Sequence, residues 1–521
     1  MASPGFATLS RMHNRTLLTG VLVAGLLAAT PAEAATAHKG LSLQFLGRYT
    51  TGAFDAGASE ITAYDARTRR VFVVNAQAGT VDVLDIRNPR APKKVGTLAT
   101  PGANSVAVKN GLIAVAQQAD DKTKPGTVSF FSASTLRKSR SVTVGALPDM
   151  VTFTPDGSKV LVANEGEPEG YCEGNVDPEG SISIIDVRRG SVKTADFKKY
   201  IGREDRLRAQ GIRIYGPKAN AAQDFEPEYI TTDKWGRTAW VSLQENNAFA
   251  VVDLRSGRVE DVVPLGLKDH SRPGNGLDAS DKDGKINIVP RPVKGMYQPD
   301  ALASYQARGR TYIVAANEGD ARDWECFAEE VRVKDLKTTL PDALKADAEL
   351  GRLTVTSTSP KNAEGVTTEL HAMGGRSVSI RDTEGRLVWD SGDQIEKLVA
   401  KELPAEFNSD QENKSFDTRS DNKGPEPEGV AVGDIRGRTY AFAGLERVGG
   451  IVAFDVSDPR HPKIVDYVNS RDFTGSVEGG TGGDSGPEGV LFIPASDSPT
   501  HKPLLVVGHE ISGTTAVYEI R

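Results

Sequence analysis

Cysteine is nearly absent from this chain, whose 521 residues include only Cys172 and Cys326. A chain of this length therefore does not rely on a network of disulfides to fold. Excess positive charge is also missing, because 63 Lys and Arg residues are outnumbered by 70 Asp and Glu residues and the formal net charge is -7. This balance argues against nucleic-acid binding and favours cations or neutral ligands.

Familiar catalytic motifs are missing as well, since the sequence has no G-x-S-x-G, H-E-x-x-H or P-loop pattern. Ser485 in GGDSGPEG has surroundings like those of a serine-protease nucleophile, but it falls in a turn before a predicted strand. His509 lies beside Glu510, where it is either a ligand or acid/base group or a structural residue at a strand end. Catalytic residues therefore stay unassigned.

The N-terminus carries the one long apolar segment of the sequence. Arg11 and Arg15 precede the apolar run 17–29, and Ala32-Glu33-Ala34 follows as a small-x-small cleavage site. This order is typical of a secretion signal, here residues 1–35, and the run is too short to span a bilayer comfortably. We expect a secreted, extracellular protein with no membrane insertion after signal cleavage.

A weak repeat organises the rest of the chain. Each copy has an acidic residue opening a short apolar strand, a second apolar strand ending in polar or acidic residues, and a third strand ending mostly in Asp. The clearest copies lie at 59–86, at 148–187, at 227–254, from 299, at 427–456 and from 487, and a poorer copy lies at 104–132. Short strands separated by Gly, Pro, Asn and Asp turns predict an all-β fold.

Seven copies of a three- to four-stranded unit predict a seven-bladed β-propeller, because one such sheet cannot bury its faces alone and stacks on its neighbours. The strand-like LSLQFLGRYT at 41–50 precedes the first copy. We predict that it closes the ring by completing the last blade, which leaves no free sheet edge. Residues 36–521 then form one propeller domain, with loop and helix insertions at about 199–223 and 327–424.

Acidic residues recur at two positions of the repeat. Those at or just before the first strand are Glu60, Asp149, Glu228, Asp300, Glu428 and Glu488, and those at the end of the second strand are Glu165, Glu245, Glu318, Glu446 and Glu510. Since these two strands run antiparallel, the start of one lies beside the end of the other. Both sets are therefore expected to meet on one face of the ring.

Crowded carboxylates are costly unless cations neutralise them or some of them take up protons. Oxygen ligands suit calcium or another hard divalent metal, so we predict a metal site built from these acids. The alternative is structural, because acids at strand starts often accept hydrogen bonds from turn amides. The stretch LDASDKDGKINI at 277–288 also has calcium-like spacing, but Ala279 and Pro290 occupy ligand positions of an EF-hand, and a polar turn explains it equally well.

The two cysteines each follow an Asn-Glu-Gly tripeptide by a few residues, at 164–166 and 317–319. If these segments are equivalent in the repeat, Cys172 and Cys326 lie in neighbouring loops on one face, and we expect a disulfide between them. A reactive thiol or a metal thiolate is the alternative.

Several longer motifs resemble the bacterial choice-of-anchor I family, which is related to the mesenchyme-specific cell-surface glycoprotein of biomineralising animals. The motifs are VANEGEPEG with DPEGSISIIDV, GLDASDKDGKINI, MYQPDALASY with AANEGDARDW, GPEPEGVAVG, and SGPEGVLF with VVGHEISGTTAVYEI. The resemblance implies a propeller fold. Members commonly carry a C-terminal surface anchor, and some are labelled alkaline phosphatases.

Two functions are consistent with these observations. The first is a secreted calcium-binding propeller that acts in binding or surface chemistry, with an extracellular polymer or protein as partner. The second is a metal-dependent phosphoester hydrolase, similar to alkaline phosphatases or phytases, that uses the same acids. The phosphate of its substrate needs positive charge, and Arg322, Arg419, Lys423 and Arg447 are candidates unless they are solvated surface charges.

Overall fold

Antiparallel β-strands dominate this computed structural model, which describes residues 40–521. Seven four-stranded antiparallel sheets are present within that range. In chain order their strands are Thr62–Asp65, Arg70–Asn75, Thr80–Asp85 and Lys93–Ala99 (sheet 1); Ala103–Lys109, Leu112–Gln117, Pro125–Ser132 and Lys138–Ala146 (sheet 2); Pro148–Phe153, Lys159–Asn164, Ser181–Asp186 and Val192–Asp196 (sheet 3); Pro227–Thr232, Thr238–Leu243, Ala248–Asp253 and Arg258–Pro264 (sheet 4); Leu302–Ala307, Arg310–Asn317, Ser377–Arg381 and Leu387–Asp390 (sheet 5); Pro427–Ile435, Arg438–Leu445, Ile451–Asp455 and Lys463–Val468 (sheet 6); and Pro487–Ile493, Leu504–His509, Thr514–Ile520 and Leu43–Thr50 (sheet 7).

The seventh sheet combines strands from the two ends of the described chain. Leu43–Thr50 pairs antiparallel with Thr514–Ile520, and the register places Leu43 opposite Ile520. The N-terminal strand is thus the outer strand of the last sheet. The first strand of each sheet also contacts the first strand of the next one, and that of sheet 7 contacts that of sheet 1.

Apolar side chains fill the spaces between neighbouring sheets. Phe72 of sheet 1 packs with Ile113 of sheet 2, and Val71 on the other face of the same strand packs with Leu504 of sheet 7. Every pair of consecutive sheets shares such a cluster. Because both faces of the second strands are covered, these strands are continuous apolar runs and do not alternate with polar residues. The all-β prediction is confirmed.

Sheet 5 is interrupted between its second and third strands. Its second strand ends at Asn317 and its third begins at Ser377. The predicted insertion 327–424 therefore includes the third and fourth strands of this sheet, Ser377–Arg381 and Leu387–Asp390. Residues 318–376 separate the third strand from its partner Arg310–Asn317.

Segments between sheets 4 and 5 and segments within the interruption of sheet 5 together build a smaller sheet. Its five strands, in spatial order, are Leu267–Asp269, Lys294–Met296, His371–Ala372, Thr354–Thr356 and Glu330–Arg332, and a two-stranded ribbon joins Asp323–Trp324 to Phe327–Ala328. The α-helices are Glu204–Ala209, Ala221–Asp224 and Gln394–Glu402, and the 3₁₀ turns are Lys198–Tyr200, Val333–Asp335, Asp342–Lys345 and Pro404–Glu406. The first two α-helices and the first 3₁₀ turn lie in or beside the predicted insertion 199–223.

Residues 41–521 form one compact unit. None of the helices in residues 40–521 is long and apolar enough to cross a membrane. The secretion signal predicted at 1–35 lies outside the described residues.

A disulfide joins Cys172 to Cys326, with 5.2 Å between their Cα atoms, which confirms the predicted pairing. It connects the loop after the second strand of sheet 3 to the loop after the second strand of sheet 5. Next to it, the N–H of Tyr171 donates to the carbonyl of Glu325, and the ring of Tyr171 packs edge-on against Phe327.

Candidate metal centre

A recurring backbone arrangement holds the acidic residues of the repeat. In sheets 3, 4, 6 and 7 the proline that opens the first strand pairs with the last residue of the second strand, and the register shifts directly after it. The acidic residue that follows each proline, such as Glu428 after Pro427, falls within this irregularity. Such bulges re-aim a side chain away from the regular pleat.

The residue before the proline completes the arrangement. Leu147, Gln298 and Glu426 have φ values of 41°, 40° and 50°, although none is glycine. The carbonyls of Leu147 and Glu426 accept the N–H of Glu165 and Glu446, the acids at the ends of the second strands. The backbone thus holds both acids of a sheet side by side, at the cost of left-handed conformations that non-glycine residues rarely adopt.

The structure brings together all eleven acids that recur at the two positions of the repeat. We call these eleven residues the acidic cluster: Glu60, Asp149, Glu165, Glu228, Glu245, Asp300, Glu318, Glu428, Glu446, Glu488 and Glu510. Each acts electrostatically on others of the set across several sheets. Glu488 of sheet 7, for example, is affected by Glu60 of sheet 1, Asp300 of sheet 5 and Asp149 of sheet 3.

Glu318 lies at the densest part of the acidic cluster. One carboxylate oxygen each of Asp300, Glu318 and Glu428 lie within 4.8 Å of one another, and the same holds for Glu318, Glu426 and Glu446. Two groups of three carboxylates therefore share Glu318.

Burial and the repulsion between carboxylates raise the pKa values of many members of the acidic cluster. Desolvation, followed by Glu510 and Asp149, raises the pKa of Glu60 to about 8. Desolvation and then Glu167 raise the pKa of Asp149 to about 7. The pKa values of six further members are raised well above their ordinary values, with desolvation as the largest cause and neighbouring carboxylates next: Glu165, Glu228, Asp300, Glu428, Glu446 and Glu488.

Several buried carboxylate oxygens have no hydrogen-bond partner. They are the Oε2 atoms of Glu228, Glu245, Glu428, Glu446 and Glu488. A buried polar atom without a partner costs about 1–3 kcal/mol, and more when it is charged. Five such oxygens in one cluster indicate that a ligand or proton is needed there.

Basic side chains lie next to the acidic cluster and form ion pairs with nearby carboxylates. Lys423 Nζ lies 2.5 Å from Glu318 and 3.3 Å from Glu426. Burial alone would raise the pKa of Glu426, but Lys423, Arg419 and Arg447 hold it at about 2. The interpretation of Lys423 as a solvated surface charge is wrong, because the residue is 8% exposed.

Arg322 is also a buried ion-pair partner, at 1% exposed. It lies 2.6 Å from Asp224 and 2.8 Å from Glu226, and its guanidinium stacks over Tyr215. The prediction of a surface charge is wrong here too. Neither Arg322 nor Lys423 is a free cation for a phosphate group.

Four neighbouring acids were missed by the sequence reasoning: Glu167, Glu226, Asp320 and Glu426. They lie in loops beyond the repeated strand positions, so the alignment of repeats gives no signal for them. The pattern EPE at 167–169, 226–228 and 426–428 begins with Glu167, Glu226 and Glu426, and it is the sequence signal that could have indicated these three acids.

The two residues singled out for catalysis are buried. Ser485 is 0% exposed, and its backbone N–H donates a hydrogen bond to the Ser512 hydroxyl oxygen at 3.0 Å. His509 is 2% exposed, and burial lowers its pKa, which favours a neutral ring. Neither residue has the exposed setting of a nucleophile or a proton-transfer group.

The sequence profile of the choice-of-anchor I domain matches residues 60–459. The chain belongs to this family. This match confirms the resemblance that the sequence motifs indicate.

Two curated relatives were found. The mesenchyme-specific cell surface glycoprotein of Strongylocentrotus purpuratus is 33% identical over 318 residues, which cover 51% of this chain and 40% of that protein. Gigasin-3a of Magallana gigas is 31% identical over 192 residues, which cover 34% of this chain and 67% of that protein. The chain thus spans less than half the length of the sea-urchin glycoprotein.

Among solved structures, the β-propeller domain of Myceliophteria thermophila Cps50 (Swd1) is similar at a TM-score of 0.43 and 8% sequence identity, covering 92% of this chain and 100% of that one.

Proposed function

We propose that this protein is an extracellular, seven-bladed β-propeller whose acidic cluster binds divalent cations, with calcium as the resident ion. The seven sheets would be the blades of a closed ring, with the acidic cluster near its axis. The cyclic contacts among the first strands and the pairing of Leu43–Thr50 with Thr514–Ile520 support this arrangement.

The observation that carries the proposal is the set of buried carboxylate oxygens without partners. Five members of the acidic cluster have one each, while the nearby Lys423 and Arg447 are shared with Glu426. Carboxylates in such a setting keep protons or bind a cation. Because the donors are all oxygen, the cation class is hard, and several ligands from different strands suit the flexible coordination of calcium.

The residues assigned to the ion are those around Glu318, namely Asp300, Glu428 and Glu446. A calcium ion there supplies positive charge to a set of carboxylates that otherwise repel one another. Lys423 donates to Oε1 of Glu318 and Gln244 donates to Oε2 at 3.1 Å, so the two hydrogen bonds fix the orientation of this carboxylate among its acidic neighbours.

The extracellular location rests on two observations. A relative that shares 33% identity is described as a cell surface glycoprotein. The protein also contains a disulfide, which is characteristic of oxidising compartments.

Replacing Glu318 by Gln tests the assignment. Glu318 belongs to both groups of three carboxylates, so its replacement removes one negative ligand from each of them. We expect calcium binding to weaken at least about tenfold. The side-chain oxygen of the introduced glutamine still accepts a hydrogen bond from Lys423, and Lys423 keeps its ion pair with Glu426. Calcium titration calorimetry on the full chain measures the change.

Glu325→Gln is the matched control, because Glu325 is exposed on the same loop and lies outside the acidic cluster. Its calcium affinity is expected to equal that of the unchanged protein. Equal affinity and stoichiometry in Glu318→Gln and the unchanged protein would contradict the proposal.

The hydrolase hypothesis makes a separate prediction. If the same ion polarised a phosphoester, hydrolysis of p-nitrophenyl phosphate would depend on calcium and would fall in Glu318→Gln. Calcium binding without turnover leaves the protein a cation-binding propeller with a polymer or protein partner.

A further inference from the structure

A second group of carboxylates lies outside the acidic cluster, where two distant segments of the chain meet. One carboxylate oxygen each of Asp278, Asp283 and Asp417 lie within 4.8 Å of one another. Asp278 is 0% and Asp417 is 2% exposed. The first two residues come from the polar loop after Leu277, and the third comes from the segment before sheet 6.

The loop that carries Asp278 and Asp283 is held in shape by its own backbone. Leu277 bridges Val289 across its base. Asp278 Oδ2 accepts the N–H of Asn287 at 2.5 Å, and Asp283 Oδ2 accepts a hydrogen bond from the side chain of Asn287 at 3.2 Å. Asn287 thus fixes both carboxylates on the same side of the loop.

Asp417 is oriented by a short hydrogen-bond chain. The hydroxyl of Ser420 donates to Asp417 Oδ1 at 2.6 Å, and Asn408 Nδ2 donates to the Ser420 oxygen at 2.9 Å. The other oxygen, Oδ2, is buried without any hydrogen-bond partner. A side chain that is 98% buried therefore faces two other carboxylates with one oxygen unsatisfied.

Neighbouring basic groups do not neutralise these carboxylates. Arg376 pairs with Glu396 at 2.8 Å and donates to the carbonyl oxygen of Asp278, and Arg352 pairs with Asp281 at 2.5 Å. Within residues 40–521, no salt bridge reaches Asp278, Asp283 or Asp417. Three carboxylates, two of them buried, are left without a positive partner, which is costly unless a cation is bound.

We propose that Asp278, Asp283 and Asp417 bind one calcium ion that ties the loop 277–289 to the segment 408–421. The donors are all oxygen, and the spacing of their atoms fits ligands at about 2.3–2.6 Å from a common calcium ion. Magnesium demands shorter, nearly octahedral contacts, so calcium is the better match. The site is separate from the acidic cluster and does not depend on it.

The raised pKa values of Asp278 and Asp417 agree with the geometry. Burial, followed by the charges of Asp278, Asp283 and Asp281 and opposed by the Ser420 hydrogen bond, raises the pKa of Asp417 to about 8. A carboxylate of this kind exchanges its proton for a cation when one is supplied.

Asp417→Asn tests the site. The backbone of Asp417 has a φ of 70°, a left-handed conformation that Asn adopts as readily as Asp, and the Asn carbonyl oxygen still accepts from Ser420. Equilibrium dialysis of the full chain against calcium is expected to show one ion fewer per chain than in the unchanged protein. Glu412→Gln, which removes an exposed charge from the same segment, is expected to leave the count unchanged.

Asp283→Asn provides an independent variant in a partly exposed loop and is also expected to lose one ion. Glu318→Gln separates this site from the acidic cluster, because it leaves the ion at Asp417 in place whether or not the acidic cluster binds calcium. Unchanged calcium counts in folded Asp417→Asn or Asp283→Asn protein would overturn the proposal.

Discussion

Removing the Cys172–Cys326 disulfide is expected to lower the free energy of unfolding by about 5 kcal/mol. The two cysteines are 154 residues apart, and a cross-link that closes a loop of this length restricts the unfolded chain by about that amount in the chain-entropy estimate. Chemical denaturation of Cys172→Ala/Cys326→Ala, compared with the unchanged protein, measures the difference.

Reduction of the unchanged protein is the control, because it breaks the same bond without changing a side chain's carbon framework. Cys326 already has a left-handed φ of 70°, so alanine adds no new backbone strain there. Matching losses in the reduced protein and in the double variant are expected. A loss below about 1 kcal/mol in both would show that this cross-link does not stabilise the fold.

The stability of the cation-free protein is expected to fall as pH rises from 7 to 8.5, and calcium is expected to suppress that fall. Folded Glu60 and Asp417 keep protons up to about pH 8, whereas unfolded Glu and Asp lose theirs near their ordinary pKa values. The folded state then binds more protons, so the free energy of unfolding decreases with pH. Each retained proton contributes about 1.4 kcal/mol per pH unit, and two give on the order of 2–3 kcal/mol.

Urea denaturation in EDTA and in calcium at each pH measures this effect. The range above pH 7 is chosen because near pH 6.5, the ordinary pKa of histidine, buried histidines make the free energy of unfolding rise with pH and so oppose the effect of the carboxylates. Burial lowers the pKa of His270, His371 and His509, so stability gained from them rises with pH until about 6.5. Glu60→Gln is expected to reduce the slope in EDTA. If the free energy of unfolding in EDTA stays level or rises from pH 7 to 8.5, the conclusion that folded Glu60 and Asp417 keep their protons is contradicted.

Much of the fold could be predicted because each repeat carries its own local signals. The second strands are continuous apolar runs, the turns contain Gly, Asn and Asp, and the N-terminal LSLQFLGRYT has no unit of its own. The sequence pattern places the strand Ser377–Arg381 in an insertion, because residues 318–376 separate it from its partner Arg310–Asn317. Pairing across such a distance depends on tertiary packing, and the sequence gives no local indication of it.

Those residues of the candidate site that occupy the repeated strand positions could be predicted from the sequence. The positions of Asp149 and Glu165 are also both acidic in the copies at 227–254 and 427–456, so the proximity of the two acids follows from antiparallel pairing. Asp320 and Glu167 lie in irregular loops, where neither the strand pattern nor the spacing of residues shows toward which part of the fold a side chain points. Asp417 reaches Asp278 from a separate insertion, and only the folded chain brings them together.

The most direct measurement is the anomalous diffraction of crystals of the full chain equilibrated with calcium. We expect a difference peak among the carboxylates of Asp300, Glu318 and Glu428, at about 2.3–2.6 Å from at least one oxygen of each. Calcium-saturated crystals with no peak anywhere in the acidic cluster, and the carboxylates arranged as without the ion, would contradict the assignment of this cluster as a cation site.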